Sequence, residues 1–452
     1  MRQAIRGDSL KARLIRSSGL TVIGYGTSQV LRLASNLILT RLLFPEAFGM
    51  MVLISVFMMG LAMFSDLGIG PSIMQNKRGD DPDFLNTAWT IQVIRGFVLW
   101  IAATGLAWPM AWFYGEPELT LLLPVASLTL IIMAFNPTRL ITANRHLMLG
   151  RVTLIEIITQ LIGIASAVFL AWWTQSVWAL VFSGLISTTA HLVLNSLYLA
   201  GERNHFHWEK AAADELIRFG KWVFLSTIAG FALSQGDKIV LGKFLSLDQL
   251  GVYNIGYFLA SFPMLLGAMV IGKILIPIYR EKPPSASVEN FKKLQKMRFI
   301  LTGMVFLLVT FFAFSGVLLV NLMYDARYVA AGAVVVMIAI AQIPHIIVLT
   351  YDQAALASGD SKRFFVLAAV RAVLMIAGLL VGIQIMGLPG ALIGQGVAML
   401  SAYPVVIWLA RKQGAWDPLH DAVFAGIGAL IGISALWLNW EAVIKLVAFK
   451  MS

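Results

Sequence analysis

The sequence predicts an all-α polytopic membrane protein, and three features predict it. Of 452 residues, 59% are hydrophobic and only 13% are charged, against about 45–50% and about 25% in soluble domains. Mean hydropathy is +0.82. The apolar residues fall in runs close to the length of about 20 residues that a helix needs to cross hydrocarbon. A chain this apolar is not a soluble enzyme, and one so rich in large apolar residues is not disordered. There is no cysteine, which excludes disulfides, thiolate chemistry and Cys-ligated metals.

Taken in order, the expected crossings lie near 18–40, 47–69, 87–110, 118–138, 152–173, 177–200, 219–242, 249–272, 299–322, 329–354, 364–386 and 388–410, with a thirteenth at about 421–438. Glu441 to Ser452 is too short to span alone and reads as a half-helix or an interfacial segment, so the total is about 12–14 helices. Arg2, Arg6, Lys11, Arg13 and Arg16 resemble the basic start of a secretory signal. The apolar run after them is too long for one and contains Arg32, so a retained first helix is expected.

The net charge is +11. In a soluble protein that would suggest nucleic acid; in a membrane protein the positions of the cations decide. With the N-terminus cytoplasmic, the inner segments hold those five residues, then Lys77 and Arg78, then Arg139, Arg145 and Arg151. Further along they hold Arg203, Lys210, Arg218 and Lys221, then Arg280, Lys282, Lys292, Lys293, Lys296 and Arg298, then Lys362, Arg363, Arg411 and Lys412. That is 24 of 34 Lys and Arg, while the outer loops between the first twelve helices hold Arg41, Lys243 and Arg327. The charge is therefore a positive-inside bias, and no nucleic-acid partner is expected.

The chain also repeats internally. At an offset of 202, "NLILTRLLFPEAFGMMV" (36–52) lies over "KIVLGKFLSLDQLGVYN" (238–254), pairing Leu39, Arg41, Leu43, Glu46 and Gly49 with Leu241, Lys243, Leu245, Asp248 and Gly251. At 212, Arg151 falls on Arg363 and "WALVFSG" (178–184) on "GALIGQG" (390–396). Six crossings per repeat keep one orientation, so the repeat is parallel. The expected division is an N-terminal bundle over 1–200, a cytoplasmic linker with an interfacial helix over 201–218, a C-terminal bundle over 219–410 and an added 411–452. A substrate path is expected between the halves.

Ionisable groups inside spans are costly and turn away from lipid. Here they are Arg32, Arg95, Glu156, His191, Asp237, Lys238, Asp352 and Arg371, with Asp66 and Lys273 near span ends. Tyr25, Ser28, Gln29, Arg32 and Asn36 make one polar face of the first helix, and Thr227, Ser234, Gln235 and Lys238 repeat it on the seventh. Two readings stand: a cavity that accepts an anion, or charge pairing that holds helices together, such as Arg95 or Arg371 with Glu156. Asp66, before Gly68, Gly70 and Pro71, suits turn chemistry as well as function. His191 and His345 read as packing residues. "GLLVG" (378–382) and the two "GALIG" copies (390–394 and 428–432) read as close helix packing. Trp108, Trp112, Trp172, Trp173 and Trp437 suit an interfacial belt, and "SASVENFKKLQKMR" (285–298) a basic interfacial helix. No hydrolase, metalloprotease or nucleotide-binding motif is present. The protein therefore reads as a transporter without cofactor, driven by H+, Na+ or the membrane potential.

"TRLLFPEAFGMMVLISVF" (40–57), "FSDLGIGPSIMQ" (64–75), "LGKFLSLDQLGVYNIGYFLASFPMLL" (241–266) and "ALASGDSKRFF" (355–365) resemble the Wzx-type oligosaccharide flippases of the multidrug/oligosaccharidyl-lipid/polysaccharide superfamily. The likeness covers about residues 10–410, and the short C-terminal tail departs from the family's usual fourteen helices. It implies two pseudo-symmetric, MATE-like six-helix bundles around an alternately opening cavity in the bacterial inner membrane. It also implies an undecaprenyl-diphosphate-linked oligosaccharide as substrate, with a polysaccharide polymerase and chain-length machinery as partners. The cationic cavity would carry Arg32, Lys238 and Arg371, then Arg95 and Arg41, with Asp66, Glu156, Asp237 and Asp352 as coupling or ion-pair partners. Two other readings are a cation-coupled exporter of the same superfamily and a membrane-embedded glycosyltransferase or polymerase.

Overall fold

A computed structural model describes residues 10–66, 68–146, 148–358 and 360–447, with side chains from residue 24 onward except at 219–226, 229, 356 and 361. Arg2 and Arg6 lie outside the described residues, and Lys11, Arg13, Arg16 and Lys221 outside the described side chains. Among the described residues all regular structure is helical.

The chain groups into two units. Unit one is Met1–Phe44 with Ile54–Ile228. It holds α1 (Leu10–Leu42), the second part of α2 (Pro45–Phe64), α3 (Ile69–Gln75), α4 (Pro82–Tyr114), α5 (Leu119–Ala126) and α6 (Leu128–Ala134). It continues with α7 (Arg139–Arg145), α8 (Leu149–Thr174), α9 (Trp178–Tyr198) and the start of α10 (Lys210–Phe244). Unit two is Pro45–Leu53 with Ala229–Ser452. It holds the first turns of α2, the rest of α10, α11 (Leu247–Ala260), α12 (Phe262–Glu281), α13 (Val288–Met323) and α14 (Ala331–Ala357). Its last helices are α15 (Ser361–Ser401), α16 (Tyr403–Lys412), α17 (Pro418–Leu438) and α18 (Trp440–Val447).

Local chemistry sets the helix ends. Asp81 caps α4, accepting a hydrogen bond from the Asp83 N–H ahead of Pro82, and Gly115 ends it in the left-handed region. Ser246 and Gln249 form a reciprocal capping box on α11. Asp417 caps α17 before Pro418.

Among the described residues, nine helical segments are long and apolar enough to cross a membrane, or ten if the bent pair Leu119–Ala134 and Arg139–Arg145 is one crossing. One of them, Lys362–Lys412, is 51 residues long. At about 1.5 Å per residue that is more than twice a hydrocarbon core of about 30 Å. It breaks at Met386 and Gly387, where Gly387 adopts φ 63°. The two halves fold back on each other: a Cβ at Gly382 would lie 2.0 Å from the Gly390 carbonyl oxygen, and one at Gly378 2.4 Å from that of Gly394. The patterns at 378–382 and 390–394 are thus spent on this hairpin. α1 and α10, each over 30 residues, lie over the first and seventh expected places.

In unit two α14 is the central helix. Its apolar window is 78% buried, against 17–44% for the other candidate crossings, because Val334, Val335, Val336 and Ile338 bury all its faces. The repeated glycines Gly49 and Gly251 also pack here, each against the opposite helix start: a Cβ at Gly49 would sit 2.0 Å from the Leu247 carbonyl oxygen, and one at Gly251 2.0 Å from that of Pro45. Trp108, Trp112, Trp172, Trp173 and Trp437 are all exposed, as an aromatic belt requires.

In unit one the segment "EKAAADELIR" forms no separate interfacial helix. It is the start of α10, with Ala212, Ala213 and Leu216 buried against Ile69, Ile73, Phe84, Ala88 and Ile91. Residues 201–209 run along the beginning of α4. Asn86, Thr87 and Thr90, on one helical face, accept from the backbone N–H groups of His205, Glu209 and His207. Arg78 then grips Glu209 with two hydrogen bonds of 2.8 and 2.7 Å and Asp81 with one of 2.8 Å. The guanidinium holds both carboxyls below the ordinary range.

Candidate functional site

The charges expected inside the spans fall into three environments. The first is the polar face of α1. Ser28 donates to Gln160 Oε1 on α8 (2.8 Å), and the Gln160 amide returns a bond to the Ser28 carbonyl (3.0 Å). Gln29 is held by Tyr25 at 2.8 Å. Part of the stripe therefore packs α1 on α8. Arg32, one turn further, is exposed, as is Arg41 near the helix end.

The second environment lies where α2 meets α4. Arg95 Nε donates to Ser65 Oγ (2.9 Å) and Nη2 to the Ala62 carbonyl (2.6 Å), so this cation caps the C-terminus of α2. Asp66 accepts from the Gly68 N–H at 2.9 Å, with Gly68 at φ 62°, which makes it a turn residue. Glu156 is exposed on α8; neither Arg95 nor Arg371 pairs with it among the described residues.

The third is the interior of unit two. Arg371, on the first half of α15, is 5% exposed and forms an ion pair with Asp352 of α14 at 2.8 Å. His345, two turns before Asp352, stands 3.9 Å from the same carboxylate. Arg371 Nη2 and Asp352 Oδ1 have no hydrogen-bond partner among the described residues. Asp237 of α10 is 3% exposed and accepts from the buried Tyr253 hydroxyl of α11. Lys238 next to it turns elsewhere, donating to Gln235 (3.3 Å) and lying 4.7 Å from the Tyr257 ring centroid. Neighbours in sequence thus have separate partners, with the anion held by a phenol and the cation by an amide and a ring.

A fourth cluster was not legible in the sequence. Arg298, expected at a basic interface, is fully buried in α13. It donates to the Ala415 carbonyl and the Tyr279 hydroxyl and stacks 4.5 Å from the Tyr351 ring centroid. Tyr351 donates to Asp421 Oδ1 (2.7 Å) and Tyr403 to its Oδ2 (2.6 Å). His420 Nδ1 stands 3.0 Å from Asp421 Oδ1 and Nε2 2.9 Å from Thr302 Oγ1. The one sequence signal was the adjacent Asp417, His420 and Asp421 at the head of an otherwise apolar helix. No group of three potential ligands able to hold a metal ion occurs among the described residues.

These placements can be set beside known proteins. The chain is 24% identical over 203 residues to the amylovoran biosynthesis protein AmsL of Erwinia amylovora, covering 44% of this chain and 51% of that one. It is 21% identical over 238 residues to the teichuronic acid biosynthesis protein TuaB of Bacillus subtilis, covering 51% and 48%. The matches thus span about half the length of these relatives. In structure it resembles the lipid II flippase MurJ in its inward closed conformation, with a TM-score of 0.67 and 12% identity over 95% of this chain and all of that one. At that identity the likeness concerns the fold, which is an all-α polytopic membrane fold. The sequence profile of the polysaccharide biosynthesis proteins matches residues 38–356, more than two thirds of the chain, and the chain therefore belongs to that family.

Proposed function

We propose that the protein is a flippase that carries an undecaprenyl-diphosphate-linked oligosaccharide from the inner to the outer leaflet of the bacterial inner membrane, with its N-terminus cytoplasmic. The observation that carries this reading is the family match over residues 38–356. Relatives named for amylovoran and teichuronic acid synthesis support it. The physical need is clear, since a sugar–diphosphate head pays heavily to enter hydrocarbon unpaired. A wet path lets the head cross while the prenyl chain stays in lipid. Outward transfer of about two negative charges gains roughly 4–5 kcal/mol at about 100 mV, so the membrane potential favours export without a cofactor or a catalytic step. A proton or sodium gradient can add to that drive, and a polymerase with its chain-length machinery would take the exported units.

Among the cations, Arg32 is the residue best suited to meet the diphosphate. It is exposed on a helix of spanning length, where a charge needs a polar surrounding. Lys238 and Arg41 are assigned as auxiliary contacts, and Arg371 and Arg95 as residues that shape the path through the partners described above. The test is deletion of the gene with complementation by wild type and Arg32→Ala. Deletion should abolish surface polysaccharide while lipid-linked glycan accumulates on the inner leaflet. Intact polysaccharide with lost drug resistance would favour a cation-coupled exporter, and sugar transfer by the purified protein would favour an enzyme.

A further inference from the structure

The basic segment at 285–298 has no part in the transport path assigned above, and its geometry gives it another partner. It is not a separate helix lying flat on the interface. Residues 288–298 are the first turns of α13, whose 36 residues, at about 1.5 Å each, outrun a hydrocarbon core of about 30 Å. Between Ile300 and Leu318 every exposed side chain of α13 is apolar: Ile300, Met304, Leu307, Phe311, Phe314 and Leu318. Their three- and four-residue steps put them on one face. They cover about 27 Å, close to the depth of the hydrocarbon itself. That face meets acyl chains.

Lys292 and Lys296 continue the same face at four-residue steps before Ile300, and both are exposed. Lys296 stands about 6 Å beyond the apolar stretch, within a headgroup layer of about 5–7 Å on each side. Lys292, one turn further out, reaches that layer with its long stem. Neither ammonium has a hydrogen-bond or ion-pair partner among the described residues. Lys293 is different, because it is held by Glu289 at 2.6 Å. The neighbouring charges reinforce the pair. Arg280 and Lys282 flank Glu281 at the end of α12, all three exposed. The turn after the exposed Arg411 and Lys412 packs here too, since a Cβ at Gly414 would lie 2.9 Å from that of Ser285. These two turns therefore carry seven exposed cations against two exposed acids, while Asp360 close by is paired with Arg363.

We propose that the head of α13 binds an anionic glycerophospholipid, with the phosphate between Lys292 and Lys296 and the acyl chains along Ile300, Met304 and Leu307. Cations set directly over a lipid-facing apolar face match a molecule that is anionic at one end and hydrocarbon at the other. The site is independent of the transported substrate. Its place in the cytoplasmic leaflet rests on the orientation proposed above.

The experiment titrates the full-length protein in detergent with phosphatidylglycerol or phosphatidylcholine and counts bound lipid by native mass spectrometry. Phosphatidylglycerol should bind at least about tenfold more tightly, the preference expected from two cations at the membrane surface. Lys292→Gln with Lys296→Gln should remove that preference at an unchanged thermal midpoint, because both side chains are exposed. Lys77→Gln with Lys210→Gln, which takes the same charge from exposed positions in unit one, should keep it. Three results overturn the proposal: equal affinity for the two lipids, an equal loss in the unit-one pair, or displacement of the lipid by an equal concentration of glycerol phosphate, which carries the anion without the chains. A failure of export with this preference intact bears on the flippase reading alone.

Discussion

Gly49 and Gly251, 202 positions apart, lock the first turns of α2 and α11 together, each lying where any side chain would strike a main-chain carbonyl of the opposite helix. The contact is reciprocal. Gly49 meets Leu247 and Gly251 meets Pro45, and those two partners are themselves 202 positions apart. The internal repeat therefore appears as a local twofold contact within unit two. Gly49→Ala should cost about 1–3 kcal/mol through overpacking, since the obstacle is backbone and cannot rotate away. Thermal unfolding in detergent reads this directly, with Gly426→Ala on α17, where a Cβ meets nothing within 4 Å, as the control. Equal midpoints for the two variants would show that the helices are not in this contact.

The Arg371–Asp352 pair makes a second prediction. Removing one partner leaves an uncompensated buried charge, so Arg371→Ala should destabilise unit two by roughly 3–5 kcal/mol. Arg371→Met with Asp352→Leu should recover most of that loss, because the pair is removed whole. Stability and export measured on both variants separate packing from transport. If the single variant is stable and only export fails, Arg371 acts on substrate instead.

Arg32 is expected to behave in the opposite way. It is exposed, so Arg32→Ala should move thermal stability by no more than about 0.5 kcal/mol. Export should fall at least about tenfold, the loss expected when about 1.4 kcal/mol of interaction with the diphosphate disappears. Arg32→Lys should retain part of the activity, since the charge remains while the bidentate geometry is lost. Normal export in Arg32→Ala at wild-type protein level removes this residue from the path.

The strap over residues 201–209 should respond to acid. Arg78 holds Glu209 and Asp81 below the ordinary carboxylate range, so their contribution is complete above a pH of about 5 and is lost as pH falls further. Hydrogen exchange at His205, His207 and Glu209 should quicken in that acid range. Glu209→Gln should give the faster exchange already at neutral pH. A strap equally protected in both proteins would mean that the backbone bonds donated to Asn86, Thr87 and Thr90 suffice without Arg78.

The membrane class, the repeat and the glycine-rich close packing were legible in the chain alone, because each depends on residues near one another in the chain or on a regular offset. Apolar runs set crossings through hydrophobic length, and Gly387 with Pro389 allows the reversal inside the 51-residue segment. Which charges are shared depends on how the helices pack. Arg371 meets an aspartate 19 residues away, Arg95 a serine 30 residues away, and His420 a threonine 118 residues away. No period or motif encodes such distances. Arg298 is the sharpest instance: counted in sequence among the cations of a basic interface, it lies fully buried because Tyr279, Tyr351 and the Ala415 carbonyl surround it. A charge repels lipid wherever it stands in a helix, but whether it faces water, a partner or a substrate is settled by the helices packed around it.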